Sequence, residues 1–192
     1  MMNTPVYLTA PAITSALGSG LQTHIDALLN PPAASPLSES GQWVRGKTYA
    51  FGAVNEALRP FPATLSDGHK SRNNQLLWHA LAQIEGDIEA AKQRFGAGRI
   101  AVVMGTSTSG VDENIPLFQQ VADGGAWRDV LFNQQQQILS APADFVADVY
   151  GLQGLCYGVS TACTSGAKAL ISAARLLRAG LCDAVVCGGV DT

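Results

Sequence analysis

Charge is scarce in this sequence: Asp, Glu, Lys and Arg make up 14% of 192 residues, and the formal net charge is -3. The 12 Lys and Arg are spread along the chain, so there is no basic stripe for nucleic acid, and the acidic excess is too small for a disordered acidic tail. Any charged partner must therefore meet a local patch. No uncharged apolar run approaches the roughly 20 residues that a membrane span requires. Met1 to Gly20 holds no Lys or Arg ahead of an apolar stretch, as a secretory leader would. The expectation is a soluble, cytoplasmic protein with no membrane span and no nucleic-acid partner. Histidine is rare too. His24, His69 and His79 lie far upstream of the four cysteines, Cys156, Cys163, Cys182 and Cys187, and no Cys-x-x-Cys pair occurs. This spacing argues against a zinc site, and without a secretory context a disulfide framework is disfavoured. Most of these thiols are expected to be small buried hydrophobes.

What the chain does have is apolar residues, 47% of the total, enough for one sizeable α/β domain with its own core. Val6 to Thr9 reads as a short strand, and Leu21, Ile25, Leu28 and Leu29 fall at helical spacing before Pro31 and Pro32 end the run. Residues 31–67 are rich in Pro, Ser and Gly and read as a loop-rich insertion with one short hairpin around Val44 to Phe51. Leu77, Leu81, Ile84 and Ile88 predict a helix over 71–94. Ile100 to Met104 is a continuous, β-branched apolar run, as a strand buried on both faces requires. Ser140 is positioned to cap a helix that runs to Tyr150 and ends at Gly151. The last third is the most regular: a strand over Leu155 to Ser160, a helix over Thr164 to Ala179, and a strand over Ala184 to Cys187. That is a β-α-β unit of a parallel sheet. The predicted apolar face of its helix comprises Ala167, Leu170, Ile171, Ala174 and Leu177. Gln134 to Gln137 is too short to mean more than a polar helix face.

One of the four thiols has the position of a nucleophile. Cys163 falls between a predicted buried strand and a predicted helix, where a sharp turn projects the side chain and a helix N-terminus favours thiolate over thiol. The small neighbours Thr161, Ala162, Ser165 and Gly166 leave room for a substrate carbonyl near the Cys163 N–H, a candidate oxyanion donor. Taken alone, a cysteine so placed is more often a buried structural residue. Two rival motifs fail on chemistry. Gly105 to Gly110 has P-loop spacing, but Val111 and Asp112 stand where Lys and Ser or Thr are needed. Gly158 to Ala162 approximates a hydrolase elbow with Ser160 as nucleophile, yet no histidine follows it to serve as the base.

The segment Gly151 to Leu170, with Tyr157-Gly158-Val159-Ser160-Thr161-Ala162-Cys163-Thr164-Ser165-Gly166 at its centre, closely resembles the nucleophile segment of elongating β-ketoacyl-[acyl carrier protein] synthases. The resemblance continues through Ala179 to Asp191, which looks like the strand and glycine pair closing the first thiolase-like half, and it is weaker at Ile13 to Gly18 and at the loop Gly105 to Gly110. Leu155 departs from the family, where many members carry Pro. Cys163-x-Ser165-Gly166-x-Lys168-Ala169 also resembles the thiolase nucleophile region, while Tyr157 to Ala162 favours the synthases. A non-catalytic chain-length partner is the remaining alternative; such partners typically lack the nucleophile.

The resemblance implies an α/β, thiolase-like fold: an N-terminal α-β-α layered half, residues 1–192, with a mixed, mostly parallel five-stranded sheet. It implies Cys163 as acyl acceptor in a decarboxylative condensation with a malonyl-carrier protein. Thr161 lies beside the bound substrate, and Phe132 belongs to a segment that reaches into a partner subunit's acyl pocket. Lys70 and Arg72, with Arg45 and Lys47, form the candidate patch for an acidic acyl carrier protein. No metal or redox cofactor is implied, since substrates ride on carrier-protein phosphopantetheine. A homodimer, or a heterodimer with a chain-length partner, is expected, with the strand near Leu155 to Val159 pairing across the two-fold. The family's decarboxylating histidines and second oxyanion donor lie in a C-terminal half, and no histidine follows Cys163. The expectation is therefore half an enzyme, with acyl length and pathway unread.

Overall fold

The computed structural model describes residues 4–32, 34–44 and 46–192. Two short antiparallel hairpins come first: β1 (Thr14–Ser15) with β2 (Gly18–Ser19), and, beyond helix α1 (Leu21–Leu29), β3 (Ser38–Ser40) with β4 (Tyr49–Phe51). Helices α2 (Arg72–Leu81) and α3 (Glu85–Phe95) lead into strand β5 (Ile100–Gly105). Helices α4 (Ile115–Ala122), α5 (Gln134–Gln137) and α6 (Ala141–Tyr150) precede β6 (Cys156–Val159), α7 (Ser165–Arg178) and β7 (Ala184–Gly189). The central sheet has the order β6-β5-β7 and is parallel throughout, with Val102 opposite Cys156 and Ile100 opposite Ala184.

Strand β5 is the centre of the molecule. All six of its residues are buried, as its unbroken apolar run requires. The strand alternates faces with a period of two. Ile100, Val102 and Met104 enter a core with Leu77, Trp78 and Leu81 of α2 and Phe145 and Val146 of α6. Phe145 is fully buried there, and Phe61, His69 and Trp78 meet its ring edge-on at centroid distances of 5.8, 6.0 and 6.1 Å. Gly105 falls on the opposite face, against the first turn of α7. The result is the expected α-β-α layering.

On the α7 face the packing is of small residues. A Cβ on Gly105 would lie 2.5 Å from the Ser165 carbonyl carbon, and one on Gly189 would lie 3.1 Å from Gly166 Cα. The buried stripe of α7 is Ser165, Ala169 and Ala173, spaced by four so that they share one face. This corrects the predicted apolar face. Leu170 and Ile171 are 44% and 50% exposed and point away from the sheet, because the close approach admits nothing larger than alanine beneath the helix. Helix α1 shows the same inversion: Leu28 and Leu29 are exposed, while His24 is its buried residue.

Other expectations need correction. The sheet has three strands among the described residues, not five. Val6 to Thr9 is not a strand; Tyr7 is 88% and Leu8 77% exposed, with no neighbouring strand to take their backbone groups. The predicted helix over 71–94 breaks into α2 and α3 around a short 3-10 turn at Ala82–Ile84. Ser140 makes no side-chain cap to α6; its hydroxyl donates to Asp144 Oδ2 at 2.8 Å. No helix among the described residues is long and apolar enough to cross a membrane.

The Gly105 contact predicts that Gly105→Ala destabilises the protein by about 1–3 kcal/mol, because backbone rather than a mobile side-chain tip must move. Denaturant unfolding checks it, with Gly86→Ala, at an open position in α3, as the control that loses nothing.

Candidate active site

The site forms at the carboxyl ends of the three parallel strands, where β6 turns into α7. Thr106 N–H donates to the Val159 carbonyl at 3.1 Å and Val190 N–H to the Gly105 carbonyl at 3.0 Å, so all three strand ends lie side by side. Ligand sites of open parallel sheets gather at this edge.

Cys163 stands on the turn between Val159 and Ser165, and it is the one exposed cysteine of the four. Ala162 before it has φ 53, a left-handed conformation that costs a residue with a Cβ energy. Ser165 holds that turn. Its buried hydroxyl donates to the Ala162 carbonyl at 2.7 Å and accepts the Thr161 N–H at 2.9 Å, while its own N–H donates to the Ala162 carbonyl at 2.9 Å. Thr164 Oγ1 donates to the Thr161 carbonyl at 2.9 Å and lies 3.0 Å from Thr161 Oγ1. Thr161 is thus engaged in the turn as well as exposed beside Cys163.

The other three thiols are unlike it. Burial, reinforced by the Asp144 carboxylate 3.7 Å away, pushes the Cys156 thiol up to about 12. Burial raises Cys182 and Cys187 as well. Cys182 is buried as the sequence led one to expect, whereas Cys156 and Cys187 are half-buried.

A carboxylate missed by sequence reasoning closes the site from the β7 side. Asp191 Oδ1 accepts four hydrogen bonds: from Thr106 Oγ1 at 2.9 Å, Ser107 N at 2.6 Å, Thr108 N at 3.1 Å and Thr108 Oγ1 at 3.0 Å. Partial burial opposes ionisation, but the donors from Ser107, Thr108 and Thr106 outweigh it and hold the carboxyl below the usual range. The signal was present in the sequence as an Asp two residues past one strand and a Thr-Ser-Thr run after another. Linking them required knowing that these strands are neighbours.

The remaining predicted residues lie on other elements. Phe132 is half-exposed and packs its ring on Phe118, which in turn meets Trp127, at 6.1 and 5.9 Å. Lys70 and Arg72 are both exposed and flank Ser71, the N-cap of α2. Neither cation is free. Lys70 Nζ donates to Asp67 Oδ1 at 2.8 Å, and the Arg72 guanidinium donates to the Val54 carbonyl at 3.3 Å. Lys47 is exposed, whereas Arg45 lies outside the described residues. Two hollows, about 290 Å³ beside His69 and Asp148 and about 220 Å³ between Ile13, Leu76, Ala80 and Val190, do not include Cys163. Among the described residues no group of three or more His, Cys, Asp or Glu is arranged to hold a metal ion.

Residues 44–192 match the family model of the beta-ketoacyl synthase N-terminal domain. The chain belongs to the β-ketoacyl synthase family. It is similar to the ketosynthase ApeO of Xenorhabdus doucetiae, solved in complex with its chain length factor ApeC: 36% identical, TM-score 0.87, covering 97% of this chain and 47% of that one. The ishigamide ketosynthase/chain length factor shares the fold at TM-score 0.74 and 19% identity, over 96% of this chain and 47% of that one. Nodulation protein E of Rhizobium leguminosarum bv. trifolii is 32% identical over 95 residues, which are 50% of this chain and 24% of that protein. The chain spans less than half the length of these relatives. It is a domain of ketosynthase, condensing-enzyme type with a thiolase-like fold.

Two outcomes follow for this ketosynthase domain. Iodoacetamide on the folded protein labels Cys163 first and Cys156 last, read by peptide mass spectrometry; earlier labelling of Cys182 or Cys187 contradicts the site. For Asp191 the folded carboxyl is depressed, so its contribution is complete above its unfolded value of about 3.9 and is lost as pH falls through the lower folded one. The difference in melting temperature between the wild type and Asp191→Ala is therefore constant from about pH 7 to about pH 5 and shrinks below about pH 4.

Proposed function

We propose that this chain is the nucleophile-bearing part of a 3-oxoacyl-[acyl carrier protein] synthase. The observation that carries the reading is the single exposed thiol of the four, Cys163, on a turn held by Ser165 at the carboxyl edge of the sheet. The Cys163 thiolate attacks the carbonyl carbon of an acyl group carried on phosphopantetheine. The new S–C bond forms, the carrier's thiol leaves with a proton, and the Cys163 N–H shares the negative charge on oxygen. A malonyl-carrier protein then loses CO2, and the resulting carbanion attacks the Cys163 thioester. The product is a 3-oxoacyl chain on the second carrier, and the Cys163 thiolate is regenerated. This sequence needs no metal or redox cofactor.

Decarboxylation and a second oxyanion donor require residues beyond those described, in the C-terminal half that the family resemblance implies. The outward-facing Leu170 and Ile171 of α7 and the exposed Leu28 and Leu29 of α1 support such a covering layer. Strand β6 lies at an edge of the sheet, which suits strand pairing across a two-fold with a second subunit. That subunit is a second copy or a chain-length partner, like the one seen with the ApeO ketosynthase, and Phe132 sits on the surface offered to it. Lys70 and Arg72 form the docking edge for an acidic carrier protein, held in place by Asp67 and Val54. The retained nucleophile argues against a non-catalytic chain-length partner.

Incubation with an acyl-carrier protein places the acyl mass on the Cys163 peptide, and Cys163→Ala carries none. A chain restricted to residues 1–192 completes condensation at least about 100-fold more slowly than the complete synthase, because it lacks the second oxyanion donor. Condensation by that chain at the complete enzyme's rate would overturn the division of roles.

A further inference from the structure

The run Gln134 to Gln137, unremarkable as sequence, is where three separate segments are tied together. Gln136 is half-buried. Its Nε2 donates to two backbone carbonyls of one turn, Asp67 at 3.1 Å and Lys70 at 2.8 Å, using both amide hydrogens. Its own carbonyl accepts the Gly110 N–H at 3.0 Å and lies 3.1 Å from the Ser109 hydroxyl. Gly110 is there for space, since a Cβ on it would fall 2.5 Å from the Gln136 carbonyl oxygen. Gln137 Nε2 donates to Asn114 Oδ1.

From Gln136 the bonding continues to the site. Ser109 is buried, with φ 51, and its N–H donates to Thr106 Oγ1 at 2.9 Å, which itself donates to Asp191 Oδ1 at 2.9 Å. An unbroken series of hydrogen bonds thus runs from the Lys70 carbonyl, through Gln136 and the loop 106–110, to the strand ends beside Cys163. Among the described residues, Gln136 is the side chain that bridges to the turn bearing Lys70 through two bonds.

We propose that Gln136 is a positioning residue for carrier-borne substrates: it holds the Lys70–Arg72 edge in fixed relation to the loop bordering Cys163. The role rests on the docking reading given above. A substrate delivered from a docked carrier depends on the distance between that edge and the nucleophile, and a displacement of about 1 Å far from the chemistry can cost up to about 100-fold in rate. A substrate that diffuses in alone has no such dependence. Gln136 touches neither substrate nor Cys163, so its effect must depend on how the acyl group arrives.

The test compares Gln136→Glu and Gln136→Met, neither of which can donate to the two carbonyls, in the complete synthase. Each is assayed with an acyl-carrier protein and with the same acyl group on free pantetheine, and the rate of Cys163 alkylation reports whether the site is folded. Expected is a loss of about tenfold in kcat/KM for the carrier-borne substrate from two missing hydrogen bonds. With the pantetheine substrate the loss is under about twofold, and alkylation keeps its rate. Equal losses with both substrates overturn the proposal, since a purely structural residue behaves so. Lys70→Glu separates this inference from the docking reading. If Lys70→Glu raises KM for the carrier-borne substrate and neither Gln136 variant changes its kinetics, the inference falls and the docking edge stands. If all three variants leave that substrate unaffected, both fall together.

Discussion

The close contact between α7 and the sheet is the constraint on which the rest of the structure depends. Gly105 and Gly189 on the sheet side, and Ser165, Gly166, Ala169 and Ala173 on the helix side, let the helix lie almost on the strands' backbone. That approach sets the height of the first turn above the strand ends, and Cys163 stands on the turn immediately before it. A helix riding on leucines would sit several ångströms further out, and the thiol with it. The Ser165 hydroxyl has a double role as a result: it is small enough to be buried under the helix, and polar enough to fix the turn at Ala162 and Thr161.

Much of this was legible in the sequence because it is local. The β-α-β unit from β6 to β7 has the right elements within a residue or two at each end, since strand run, turn and helix follow one another without interruption. Strand β5 was legible because five consecutive apolar residues, Ile100 to Met104, admit few other readings. Cys163 stood out from Cys156, Cys182 and Cys187 by its place at a strand-to-helix turn together with the resemblance of its segment to a nucleophile segment. The misreadings share a cause. Periodicity finds the large apolar stripe of a helix, yet in α7 and α1 much of that stripe is exposed. Val6 to Thr9 has strand composition but no partner strand among the described residues. Asp191 and Gln136 were invisible for a different reason: their roles rest on hydrogen bonds to residues 66 to 85 positions away.

Polar side chains in this fold act more on loops than on one another. Gln136 takes two carbonyls and offers its own, Ser165 spans an N–H and a carbonyl, and Asp191 collects two amides and two hydroxyls. In each case a side chain satisfies backbone groups that neither helix nor sheet can reach, which buried or half-buried loops require. The loops at the carboxyl edge are thereby shaped by specific residues rather than by length alone, and two left-handed residues other than glycine, Ser109 and Ala162, are held there.

The bonds to Asp191 also say something about the order in which the molecule is built. They join positions 83 to 85 residues apart, and both strand pairings of β5 are parallel and therefore non-local. Closing such long intervals is entropically slow compared with forming a helix. The core around Phe145 includes Val186 of β7 as well as α2 and α6. One docking event, the pairing of β7 with β5, therefore both completes the hydrophobic interior and carries Asp191 to the loop 106–110, so the edge that holds Cys163 takes its shape only together with the core.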